Sequence, residues 1–272
     1  MILDNLYEYS ILVVIYKQSV FDSETLKSLI SLRSYVFNSK ITIWDNSPTS
    51  LPNDELEYLK LNLNNLSYIH TPENIGLAKI YNEVIKTSND SGYVILFDQD
   101  SEFDARYFEM LKSGIIEFPT INLFVPLIMH SDSIMSPGYY ICFKGSLWKE
   151  IKLGKVSSKN MAIITSGMAI SSKYLSGVFK GFDEEFVFYG IDTYFSIQYR
   201  DQNDFFYVFD CNFKHDLAIN SDEKYDDRLR RFKNHRKSLI KLSKRSVITY
   251  LATIPYVSYK TVKFYLSNLL KK

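Results

Sequence analysis

Two carboxylates one residue apart, Asp98 and Asp100, follow directly on the apolar run Tyr93 to Phe97. Acids held at such an edge repel one another unless a cation or hydrogen-bond donors lie between them. Oxygen ligands with an open coordination position suit Mg2+ or Mn2+, and an ion there would neutralise a diphosphate leaving group. A solvated turn with an Asx cap is the alternative for the pair taken alone. Asn74-Ile75-Gly76 forms a turn ahead of an amphipathic segment, where backbone N–H groups could face a phosphate, and Lys79 follows one turn later. Asp192 stands near the start of another helical segment, either as an N-cap or as a general base. A helix start favours the ionised carboxylate, which opposes the raised pKa a base needs. His215 offers an imidazole, a suitable ligand for Mn2+ and a poor one for Mg2+.

The elements that position these groups alternate. Ser10 to Tyr16, Lys40 to Trp44, Leu66 to Ile69 and Tyr93 to Phe97 read as strands; Asp22 to Tyr35, Leu56 to Leu63 and Leu77 to Lys86 read as helices. This order predicts a doubly wound, mainly parallel sheet with its ligands beyond the carboxyl ends of the strands. Tyr16-Lys17, Asp45-Asn46, His70 to Asn74 and Asp98 to Asp100 occupy those ends. Past residue 100 we expect a helix near Tyr107 to Ile116, a strand at Leu123 to Leu127, a hairpin near Tyr139 to Lys144 and a mobile loop at Ser157 to Asn160. A strand at Ala162 to Thr165, a helix from Asp192 to Arg200 and a strand at Phe205 to Phe209 complete the pattern.

A chain of 272 residues, 46% hydrophobic, can bury a large core. The two cysteines, Cys142 and Cys211, lie far apart, signalling neither a disulfide framework nor a zinc site and fitting a reducing, cytosolic setting. The first apolar run lacks the basic start and the length of a secretory signal. Net charge is +1, yet thirteen of the 32 Lys and Arg and none of the 31 Asp and Glu lie from Arg228 on. The tail therefore carries +13 and the body, with 19 basic residues against 31 acidic, −12. Such a tail suits an anionic surface, nucleic acid or the cytoplasmic face of a membrane.

With its strand, Asp98-Gln99-Asp100-Ser101 resembles the Asp-x-Asp motif of family 2 glycosyltransferases, and the Asp-Gln-Asp form resembles their bacterial rhamnosyltransferase branch. Asn74-Ile75-Gly76-Leu77-Ala78-Lys79 with Asn82, Ile43-Trp44-Asp45-Asn46-Ser47, Thr165-Ser166-Gly167 and His215-Asp216-Leu217 are similar to further segments of that branch, in the same order, over roughly residues 10 to 240. The resemblance implies a GT-A fold, Rossmann-like, with a nucleotide-sugar-binding half (1–102), an acceptor-binding and catalytic half (103–220) and a basic helical tail (221–272). It implies that Tyr16, Asp45, Asn74, Gly76, Lys79 and Asp98 bind the nucleotide sugar, with Asp45 on the nucleobase and Asp98 on the nucleoside or its ribose. Ser166 and Gly167 would meet the acceptor. Asp100 and His215 would bind Mn2+ or Mg2+, and Asp192 would be the general base of an inverting displacement. The implied donor is dTDP-L-rhamnose, with UDP-galactofuranose or a UDP-hexose open, and the acceptor a lipid-linked saccharide of a bacterial surface polysaccharide such as O-antigen or capsule. Tyr189, Tyr194 and Ala218 depart from the branch pattern, and Asp183, Glu184 and Glu185 are possible substitutes for the base.

A nucleotidyltransferase would need a Gly-rich basic loop after the first strand, where this chain has Tyr16-Lys17-Gln18-Ser19-Val20, and no Gly-x-Gly-x-x-Gly supports a nicotinamide enzyme. A non-catalytic nucleic-acid or membrane-binding module would explain the tail but not the four aspartates, so no nucleic-acid partner is expected. Ser246 to Tyr259 is uncharged, too short to span a bilayer and long enough to lie in its interface. We expect residues 228–272 to attach peripherally to the inner face of the cell membrane, or to pack on the body, or to do both in part.

Overall fold

Strand β1 (Tyr9–Ile15) runs through the interior because every residue but Ser10 is apolar and buried, which leaves it no face for solvent. It pairs in parallel with β2 (Lys40–Asp45) on one side and β4 (Tyr93–Asp98) on the other, and β2 pairs in parallel with β3 (Leu66–His70). Helices α1 (Glu24–Ser31), α2 (Asn53–Asn62) and α3 (Leu77–Thr87) connect these strands. In the ladders Asp98 lies opposite Val14, and Asp45 lies opposite both Ile15 and His70, so the polar strand ends emerge along one edge. This computed structural model describes residues 9–88, 92–130, 133–215 and 225–269. Asp216, Leu217 and Ala218 lie outside the described residues.

The second half joins the same sheet. After β5 (Ser101–Glu102) and α4 (Ala105–Glu117) come β6 (Leu123–His130), β7 (Ser133–Ser136), the hairpin β8 (Gly138–Ile141) and β9 (Lys144–Leu147), and β10 (Gly154–Ser157). Then follow β11 (Met161–Ala162), β12 (Met168–Ser171), α5 (Ser172–Gly177), α6 (Ile191–Arg200) and β13 (Phe205–His215). The main sheet runs β10-β13-β6-β12-β4-β1-β2-β3, and β11, β8 and β9 form a small second sheet. Strand β12 lies antiparallel between β4 and β6, while β13 runs parallel to β6. Two expectations change here. The strand read at Ala162 to Thr165 stops at Ala162, and the ladder beside β4 is made by Met168 to Ser171 instead. The loop at Ser157 to Asn160 is tied down: Ser158 N–H donates to Asp204 O at 2.8 Å and its buried hydroxyl donates to Asn203 O.

Alternate residues of the central strands feed two cores, one on each face. Leu12, Val14, Val94 and Leu96 face one; Ile11, Val13, Ile95 and Phe97 face the other. Helix α7 (Tyr225–Ser243) and helix α8 (Val247–Leu269) then form a pair, with Phe232 stacked on Phe264 at 4.2 Å. The tail packs on the body through Leu242, which joins one of the two cores, and through Tyr256 against Phe143 at 5.0 Å, and Lys241 sits between Asp183 (2.6 Å) and Glu185 (2.5 Å), over the ring of Phe186. Among the described residues no helix is long and apolar enough to cross a membrane.

Candidate active site

The turn carrying Asp98 and Asp100 is held by the start of α1. Ser23 caps that helix and donates to Gln99 O at 2.7 Å, while the Thr25 hydroxyl donates to Asp98 O at 2.5 Å and accepts from Ser101 N–H at 2.9 Å. The Gln99 side chain accepts from Tyr16 N–H at 2.6 Å, tying the end of β1 to the same turn. This is the point where the strand order reverses between β1 and β4, the crevice in which open α/β sheets bind ligands.

His215 reaches the turn because β13 changes partner. Along β6 it is parallel, its register shifts between Phe209 and Phe213, and Asn212 takes a φ of 53°. Beyond the shift, His215 pairs antiparallel with Ser101 of β5. Its Nδ1 then lies 3.2 Å from Asp100 Oδ1, and its Nε2 lies 4.0 Å from Asp98 Oδ2. One ligand atom from each of Asp98, Asp100 and His215 falls within 4.8 Å of the others. With Nδ1 within reach of Ser101 Oγ at 3.1 Å, Nε2 is the nitrogen left for a cation, and a carboxylate oxygen of Asp100 together with that imidazole nitrogen suits a divalent ion, Mn2+ better than Mg2+. The Asp98 pKa is raised to about 7 by burial in the protein around it, and further by the charges of Asp100 and Asp192.

Asp192 lies in the first turn of α6, two residues after its N-cap, Gly190, which has a φ of 84°. It is therefore not the cap. Its Oδ1 accepts from the Thr165 hydroxyl at 2.9 Å. Burial raises its pKa, opposed by the hydrogen bond from Thr165 and by His215. The sequence left a conflict between the helix start and a raised pKa, and burial decides it. Tyr81, fully enclosed on α3, has its pKa pushed up by that enclosure and by the charges of Asp98 and Asp192.

The other expected site residues have the following surroundings. Asp45 is buried with both oxygens engaged: Oδ1 accepts from Ser47 N–H (3.0 Å), Oδ2 from Leu51 N–H (3.2 Å) and the Tyr68 hydroxyl (2.5 Å). It shapes the loop after β2 instead of offering a free carboxylate. Asn74 has a φ of 50° and accepts from Asn46 Nδ2 at 3.0 Å. The open phosphate cradle expected at Gly76 is closed at Leu77, whose N–H donates to Val187 O at 2.9 Å; a Cβ on Gly76 would sit 3.2 Å from Val187 Cα. Lys79 and Tyr16 are exposed. Ser166 and Gly167, expected to meet an acceptor, are buried: Ser166 Oγ accepts from Asp98 N–H, and Gly167 packs under Phe213. Asp183 and Glu185 bind Lys241 and Glu184 accepts from Asn82, so Asp192 alone of these acids adjoins the aspartate turn. Ser101, Thr25 and Thr165 were not singled out as brace residues, although Thr165 stood in a quoted motif.

The family described as Glycosyl transferase family 2 matches residues 10–178. No curated protein matches the sequence. Among solved structures, GalNAc-T7 with UDP, GalNAc and Mn2+ superposes with a TM-score of 0.61 at 15% identity, over 88% of this chain and 48% of that one. S. aureus TarS gives 0.56 at 15% identity, over 85% of this chain and 43% of that one. Its 1–349 form in complex with UDP gives 0.56 at 16% identity, over 85% and 70%. The chain thus spans about half the length of the first two, and at these identities the likeness concerns the fold.

Proposed function

The chain belongs to glycosyl transferase family 2, and from that premise we propose that it is an inverting, metal-assisted transferase of a sugar from a nucleoside diphosphate donor. The observation that carries the reading is the grouping of Asp98, Asp100 and His215, from β4, the turn after it and β13, with Asp192 of α6 joined to them through Thr165 and Ser166. A divalent ion held by Asp100 and His215 would offset the charge gathering on the departing diphosphate. Asp192 takes the proton of the acceptor hydroxyl as that oxygen bonds to the anomeric carbon. The bond from that carbon to the diphosphate oxygen breaks on the opposite face, its electron pair leaves with the diphosphate, and configuration inverts. The raised proton affinity of Asp192 suits this task.

Asp98 would receive the nucleoside or its ribose, as the resemblance implies, and Tyr16 offers an exposed ring at the end of β1. Asp45 acts on the donor through the loop it folds. By resemblance the donor is dTDP-L-rhamnose, with UDP-galactofuranose or a UDP-hexose as alternatives; the UDP in the structures above favours keeping uridine donors in the test. The acceptor is a lipid-linked saccharide of a bacterial surface polysaccharide. Release of nucleoside diphosphate from such donors, dependent on added Mn2+ and lost in Asp100→Asn, tests the reading.

An acceptor of that kind places the enzyme at a lipid surface, and α8 supports this. Its Thr253 and Val257 are buried against the protein. Ile248, Leu251, Pro255, Tyr259, Val262 and Leu266, all exposed, recur with helical period on the opposite side. That apolar stripe, joined to the basic α7, suits peripheral attachment to an anionic leaflet.

A further inference from the structure

Thr165 and Ser166 sit between the two chemistries of the site, with their side chains turned to opposite partners. The Thr165 hydroxyl donates to Asp192 Oδ1 at 2.9 Å. One residue on, Ser166 Oγ accepts from Asp98 N–H at 2.9 Å and lies 2.8 Å from Ser101 Oγ, which lies 3.1 Å from His215 Nδ1. Both residues are almost wholly buried, at 4% and 1% exposure. The pair is itself fixed. Gly167 N–H donates to Leu96 O at 2.7 Å, and the Tyr107 hydroxyl donates to Gly167 O at 2.8 Å.

We propose that Thr165-Ser166 is a crossbar that positions the base and the cation ligands relative to each other, Thr165 orienting Asp192 and Ser166 orienting Asp98 and, through Ser101, His215. It takes no part in acceptor binding. Neither side chain touches a reacting atom; both act through the groups they hold. This rests on the proposed transferase reading and gives the site a fixed spacing between proton acceptor and diphosphate-binding end. The geometry divides the consequences: loss of one hydroxyl disturbs the base, loss of the other disturbs the imidazole and the aspartate turn. Outer partners of this kind change metal affinity or activity by about 10–100-fold.

The test uses the full chain, Mn2+ alone as the binding probe, and whichever of dTDP-L-rhamnose, UDP-galactofuranose and the UDP-hexoses the wild type turns over. Thr165→Val, which keeps shape and removes the hydroxyl, is expected to lower kcat about 10–100-fold with donor KM and Mn2+ affinity unchanged, and Thr165→Ser to restore it to within a few-fold. Ser166→Ala is expected to weaken Mn2+ binding about tenfold or more while kcat at saturating Mn2+ changes little. Thermal unfolding of each variant separates misfolding from mispositioning. A Thr165→Val enzyme with wild-type kcat, a Thr165→Ser enzyme as impaired as Thr165→Val, or Ser166→Ala with unchanged Mn2+ affinity would overturn the crossbar. If Asp192→Asn and Asp100→Asn are inactive in the same assays, that failure is confined to the crossbar; if either is fully active, the role given to that residue falls, and only a wild type that turns over none of the donors overturns the transferase reading itself.

Discussion

Asp98 offers a quantitative consequence of the site's electrostatics. Its pKa, raised to about 7 by burial and by neighbouring Asp100 and Asp192, means that without a cation the carboxyl is half protonated at neutral pH. A divalent ion 4 to 5 Å away or closer favours the ionised form, so binding should expel that proton. Proton release attributable to Asp98 should then be about 0.5 per Mn2+ bound at pH 7, about 0.9 at pH 6 and under about 0.1 at pH 8.5. Where proton and ion exclude one another, the apparent affinity falls about tenfold between pH 8.5 and pH 6. Calorimetric titration of Mn2+ in two buffers of different protonation enthalpy measures the release. Asp98→Asn, which keeps the shape and has no proton to lose, isolates the contribution of this carboxyl. Equal release at pH 7 in wild type and Asp98→Asn would refute the reasoning, because the raised pKa would then not belong to a group that senses the ion.

Asp192→Asn should lower kcat at least 100-fold, and the acidic limb of the wild-type kcat/KM profile should lie above the ordinary carboxylate range; a limb at or below pH 4 contradicts the raised pKa. The same substitution should stabilise the protein. A raised native pKa means the folded chain binds more protons than the unfolded one, so ionised Asp192 costs stability as pH rises above the unfolded value of about 3.9. The Tm gain of Asp192→Asn should therefore be largest at pH 8 and vanish in acid. Gly167→Ala forces a φ of 80° on a side chain and places its Cβ 2.7 Å from Phe213 and 2.9 Å from Pro126. Strain and overpacking together should cost about 2–5 kcal/mol, which thermal unfolding would register as a fall in Tm of several degrees. Ile248→Ser with Leu251→Ser should reduce cosedimentation with anionic vesicles several-fold while leaving Tm and activity on a soluble acceptor intact. These point changes are preferable to deleting 229–272, which would also remove Lys241 from Asp183 and Glu185.

Strands β1, β2 and β4 were legible because each is a short apolar run buried on both sides, and β3, only partly buried, showed itself by its place in the alternation of strands and helices. Strand β12 was not, because four residues between a glycine and a short helix carry too little pattern; only the gap between β4 and β6 explains them. The end of β13 was there to be read. In Asp210-Cys211-Asn212-Phe213-Lys214-His215, Cys211 and Phe213 are buried and the residues between them more open, a period-two signal masked by its polar residues. Among the expected site residues, Asp98, Asp100, His215 and Asp192 were picked out by type, order and resemblance, and the first three lie together in the fold. The hydrogen bonds that Asp45 makes to its loop and that Ser166 makes to the Asp98 backbone were not legible, since burial and bonding by loop backbone cannot be read from a motif. The conflict over Asp192 likewise needed the fold, because the helix start was visible in the sequence and the burial that outweighs it was not.

The central claim is tested most directly by incubating the full chain with a panel of dTDP-L-rhamnose, UDP-galactofuranose and UDP-hexoses, with and without Mn2+, and measuring released nucleoside diphosphate beside Asp100→Asn. The account predicts release from at least one donor that requires the ion and is lost in the variant. No release from any donor, together with no binding of dTDP or UDP, would contradict it.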